Sequence, residues 1–133
     1  MRHPQIEAVL EPRVGHRMAL VLRNASDRVA WLYKPNACLG GRIENNVFRI
    51  REGEKAARYT GIYVKRPAPR PEDFIELPAH GSRIEEIDLA SAYALSAGTR
   101  YALRYEAFHD NPDDPKSLWE VASPEVTIGG GSL

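Results

Sequence analysis

Short runs of period-two alternation recur along the whole chain, and each is closed by turn-forming residues. Residues 5–11 set Ile6, Ala8 and Leu10 against Gln5, Glu7 and Val9. Residues 16–23 set Met18, Leu20 and Leu22 on one face, with Arg17, Ala19, Val21 and Arg23 on the other. Further runs cover 29–33, 47–51, 58–65, 73–77, 83–89, 99–108 and 118–128. Successive side chains of a strand point to opposite faces, so each run offers one apolar face to a core. Regular spacing of such runs predicts an all-β antiparallel sandwich or barrel. The expectation is an immunoglobulin-like β-sandwich of about seven to nine strands with Greek-key connections.

Turn chemistry agrees with this. Asn24, Ala25, Ser26 and Asp27 supply short polar side chains that bond their own backbone, and Glu52, Gly53, Glu54 and Lys55 form a second turn. Residues 89–96 are the one helical candidate. At eight residues they are too short to hold a helix in water, so a single turn is expected there. Tyr101 opens the run 99–108 just after a turn, a placement that resembles the tyrosine corner of Greek-key sandwiches.

A chain of 133 residues suits one domain, placed at 1–128. The glycine-rich residues 129–133 are expected to form a flexible tail. Eighteen basic residues balance eighteen acidic ones. Zero net charge withholds the broad positive field on which non-specific nucleic-acid binding rests, and no cationic amphipathic stripe suits a membrane surface. The expectation is therefore no nucleic-acid partner, no membrane partner, and a monomer or weak dimer. No apolar run follows Met1, so a cytoplasmic location is expected, or a periplasmic or secreted one if a leader lies outside this sequence.

Chemistry-bearing motifs are sparse. Neither a His-Glu-x-x-His helix, nor a Gly-x-Ser-x-Gly elbow, nor a phosphate-cradling glycine loop is present. His3, His16, His80 and His109 are scattered and are expected at the surface or at strand ends. Residues 109–114 gather an imidazole and three carboxylates, either an ordinary hairpin loop or a calcium loop. Cys38 is the single cysteine. It is expected to be a small buried hydrophobe, with a nucleophile or a zinc-capturing thiolate as alternatives. No cofactor and no catalytic residue is expected.

One stretch is distinctive. Tyr59, Gly61, Ile62, Tyr63 and Val64 form an alternating run broken by a glycine, and Lys65, Arg66, Pro67, Ala68, Pro69, Arg70 and Pro71 follow. Residues 59–64 are expected to be a strand kinked at Gly61, by a bulge or a close backbone approach. The prolines remove ladder donors, so 65–71 is expected to be an exposed crossover.

Taken with the 20–27 run, residues 46–50, 87–93 and 98–101, the stretch resembles the domain that precedes the catalytic domain in bacterial deuterolysin-type zinc metalloendopeptidases. The family's catalytic motifs are missing from this chain. The resemblance implies a pro-domain-like module that inhibits or chaperones a zinc metalloendopeptidase in trans.

The function expected is therefore a non-catalytic protein-binding module. Its partner-binding residues would be Tyr63, Lys65, Arg66, Pro67, Pro69 and Arg70, with the cations steering toward an acidic cleft. The alternative is a sandwich that binds a small ligand or carbohydrate through converging aromatic rings at Trp31, Tyr33, Tyr59, Tyr63, Phe74 and Trp119.

Overall fold

The computed structural model describes residues 2–111 and 114–129. It is an all-β fold of antiparallel sheets. Ten strands run in order: β1 (Ile6–Pro12), β2 (Arg17–Asn24), β3 (Ala30–Tyr33), β4 (Phe48–Glu52), β5 (Lys55–Ala56), β6 (Phe74–Leu77), β7 (Ser82–Asp88), β8 (Arg100–Asn111), β9 (Asp114–Ala122) and β10 (Val126–Gly129). Among the described residues no helix is long and apolar enough to cross a membrane.

One sheet has the order β1-β2-β7. β7 returns after four intervening strands to pair with β2, the kind of crossover that a Greek-key sandwich requires. The second sheet is organised by β8. Its first half pairs with β10, its second half with β9, and β4 lies on its other side. β3 and β6 form a separate ribbon. The core fills the space between the sheets. Ile6, Ala8, Leu10, Met18, Leu20, Leu22 and Ile87 belong to the first sheet, and Phe48, Ile50, Tyr101, Leu103 and Tyr105 to the second, all in one buried cluster.

The register follows the sequence pattern. In β2, Met18, Leu20 and Leu22 are buried while Arg17 and Arg23 are exposed. Asn24 ends the strand fully buried with its side chain satisfied: Oδ1 accepts from Ser26 N, and Nδ2 donates to Arg28 O at 2.6 Å and Leu77 O at 3.0 Å. Tyr101 Oη accepts from Ser96 N at 2.7 Å, five residues upstream, which completes the expected tyrosine corner. Residues 89–91 form a single 3-10 turn capped by Asp88.

Three sequence expectations change. Residues 58–65 do not form a strand; only Tyr59 makes an isolated antiparallel bridge, to Tyr93. Beyond that bridge the Tyr59 side chain folds back over its own chain, its hydroxyl donating to Ile62 O. The run 118–128 is split into β9 and β10, since Ser123 bonds Tyr105 through both N and Oγ and Pro124 brings no donor. Gly129 belongs to β10 rather than to the tail. It has a φ of +76°, and a Cβ there would collide with Thr99 O.

Candidate functional site

Residues 57–73 connect β5 to β6 outside every sheet, and they carry three consecutive exposed large apolar side chains. Ile62 is 52% exposed, Tyr63 81% and Val64 48%. Leaving three consecutive large apolar side chains in water is unfavourable, by about 25 cal/mol for each Å² not buried. The exposure arises because both ends of the stretch are fastened.

At the first end the Tyr59 ring, itself buried, leans edge-on against Tyr93 with centroids 5.4 Å apart. Its hydroxyl donates to Ile62 O at 2.7 Å. The ring therefore lies across Gly61, where a Cβ would fall 2.6 Å from Tyr59 Oη. The kinked strand expected at Gly61, with a bulge or a close backbone approach, is not formed; the glycine is needed because a side chain, the Tyr59 ring, lies over it. Tyr63 stands edge-on to Tyr59 at 5.1 Å. Tyr93 in turn is pinned by Asn46 Oδ1 at 2.7 Å and Phe48 N at 3.0 Å.

At the other end Arg66 turns inward. Its Nη2 donates to Glu44 O at 3.3 Å and pairs with Glu44 Oε2 at 3.7 Å. Its Nε is buried and, among the described residues, without a hydrogen-bond partner. Arg70 starts the 3-10 turn Pro71–Asp73: its N donates to Asp73 Oδ2 at 2.9 Å, and its side chain pairs with Glu72 at 3.4 Å. Lys65, Pro67 and Pro69 are exposed. Of the six residues expected to face a partner, Tyr63, Lys65, Pro67 and Pro69 thus present their side chains to solvent. Arg66 fastens the segment, and Arg70 splits its role between the turn and the surface.

His109 departs from the surface position expected of it. It is fully buried within β8. Nδ1 accepts from Tyr33 N at 2.9 Å, so the ring proton sits on Nε2 and is donated to Tyr105 Oη at 2.7 Å; Tyr105 passes its own proton to Asn36 O at 2.6 Å. Burial, assisted by the charge of His3, lowers the His109 pKa to about 3. Sequence reasoning missed this chain because its four members lie on β3, the following turn and β8. The one available signal was parity, which puts His109 on the face of Tyr101, Leu103 and Tyr105. The proposed calcium loop 109–114 runs into residues outside the described ones, and its imidazole points into the core. Among the described residues no group of three His, Cys, Asp or Glu side chains is placed to hold a metal ion.

Cys38 is 1% exposed, and burial first, then Glu85 and Glu44, push its thiol up to about 12. The thiolate is the reactive form. Iodoacetamide at pH 8 is accordingly expected to leave Cys38 unmodified in the folded protein and to label it fully in denaturant; rapid labelling of the folded chain, read by mass spectrometry, would contradict this.

Of the aromatic rings considered for a ligand, Trp31 and Trp119 are half-buried. Tyr59 and Phe74 are buried, Tyr33 packs on Phe74 at 5.4 Å, and Tyr63 stands against Tyr59. No family model matches the chain, and no curated protein matches it.

Proposed function

We propose that this chain is a non-catalytic protein-binding module whose contact element is the braced loop carrying Ile62, Tyr63 and Val64. The observation that supports this reading is exposure combined with fastening. Tyrosine delivers a large contact area while losing little rotamer freedom, and an element already held in shape loses less entropy on docking. Lys65 beside the loop favours a cleft with acidic character at its rim. The partner class that the family resemblance names is a zinc metalloendopeptidase, on which the module acts as a pro-domain-like inhibitor or chaperone in trans.

Titration of a deuterolysin-type protease with the module tests this. The expected result is dose-dependent loss of peptide hydrolysis, weakened roughly 30-fold by Tyr63→Ala, the effect of losing about 2 kcal/mol at a hot-spot residue. Unchanged hydrolysis at micromolar module removes the inhibitor reading. Equal potency of Tyr63→Ala removes the loop as the contact element.

A further inference from the structure

Residues 58–65 have the composition of a strand, since Tyr59, Thr60, Ile62, Tyr63 and Val64 are all strand-forming types. Within the molecule they find no ladder beyond the Tyr59 bridge. Residues 62–67 nevertheless run on without a turn or a bend, and no φ from 61 to 66 is positive, so the segment is extended.

In an extended chain the N–H and C=O of one residue leave on one side, and those of the next residue on the other. The Tyr59 hydroxyl donates to Ile62 O at 2.7 Å, so the even-numbered residues turn their main chain toward the body of the molecule. The odd-numbered ones, Gly61, Tyr63 and Lys65, turn theirs away. Among the described residues none of these three makes a main-chain hydrogen bond. An edge left open in this way is a template for another strand.

We infer that the edge from Gly61 to Lys65 pairs with the same edge of a second copy of this chain, antiparallel about a two-fold axis at Tyr63. In that register Tyr63 exchanges both of its hydrogen bonds with Tyr63 of the second copy, and Gly61 does so with Lys65. Ile62 comes to lie opposite Val64, so two exposed apolar side chains cover each other on each side of the axis. No like charges meet. Lys65 faces a glycine, and the two copies of Lys65 stand four residues apart along the ladder, about 13 Å, beyond the screening length of physiological salt. Pro67 has no N–H and ends the ladder. Eighteen basic residues against eighteen acidic ones leave no net charge to hold two copies apart.

Five residues a side bury well under the about 1,200 Å² of a stable interface, so the dimer is weak, with a Kd on the order of 100 µM. Pairing covers Ile62, Tyr63 and Val64, and self-association therefore competes with docking of a partner at the same loop. That competition rests on the protein-binding reading; the pairing itself does not.

Sedimentation equilibrium of the whole chain from about 10 µM to about 1 mM tests the pairing, and a monomer–dimer equilibrium is expected across that range. Lys65→Pro removes the N–H that reaches Gly61 O, twice across the axis, and is expected to weaken the dimer about ten-fold relative to Lys65→Ala. Ile84→Ser, on the exposed outer face of β7, is expected to leave it unchanged. In an equal mixture of labelled and unlabelled wild type, an isotope-filtered nuclear Overhauser experiment is expected to join the α-protons of Ile62 and Val64 between copies, the close approach of a non-hydrogen-bonded pair. This reads the register whether or not the proline variant folds. A chain that stays monomeric at about 1 mM, equal dimerisation of the folded proline and alanine variants, a dimer lost in Ile84→Ser, or a wild-type dimer without the Ile62–Val64 contact each overturn the pairing. A partner that binds monomer and dimer alike overturns the competition and leaves the pairing standing.

Discussion

Acidification from pH 7 to pH 4 is expected to remove about 3 kcal/mol of folding stability through His109 alone. In the folded protein its pKa is lowered from 6.5 to about 3. The unfolded chain therefore binds the proton first, and stability falls with pH from about 6.5 downward until the folded form titrates near 3. The slope approaches about 1.4 kcal/mol per pH unit across that window. The geometry explains the resistance to protonation. A proton added at Nδ1 would point at the N–H of Tyr33, while Nε2 already donates to Tyr105. His3 steepens the same slope, because burial lowers it to about 4 and its Nδ1 accepts from Gln5 N and Ile6 N. Urea unfolding at a series of pH values checks this for the wild type and His109→Gln. The variant is expected to be less stable at pH 7 but flatter between pH 6 and pH 4. Parallel curves for the two proteins would show that His109 does not govern the acid limb.

What was legible in the sequence depended on how local its cause was. The alternation of residues 6–10 and 18–22 reflects a two-residue period, and the burial of these strands follows it except at Ala19, which is buried on the other face of β2. The Asn24 and Gly53 turns and the tyrosine corner are set by side chains bonding backbone within a few residues, and all were visible in advance. Long-range pairings were not. Residues 58–65 carry a strand pattern as clear as that of β6, but no neighbouring strand receives them beyond the Tyr59–Tyr93 bridge. Tyr93, 34 residues downstream, decides the matter by supporting the Tyr59 ring. The ion pairs that Glu106 makes with Arg49 and Arg104 were equally hidden, because they depend on the register that sets β4 against β8.

Gly61→Ala is expected to destabilise the fold by roughly 1–3 kcal/mol and to release the loop. The added methyl would sit 2.6 Å from Tyr59 Oη, 2.7 Å from Cζ and 2.8 Å from Cε1. The ring is held by Tyr93 on one side, so it cannot move aside without giving up that contact and the hydrogen bond to Ile62 O. Tyr59→Phe separates the two contributions: it deletes the hydrogen bond, for about 1 kcal/mol, and keeps the ring. Hydrogen exchange across residues 60–66 is expected to accelerate in both variants, and more in Gly61→Ala. If Gly61→Ala matches the wild type in stability and exchange, the ring does not brace the loop. If the loop loosens and partner binding stays unchanged, the fastening is a matter of folding alone, and the preorganisation argument for the contact element fails while Tyr63 itself can still be tested by substitution.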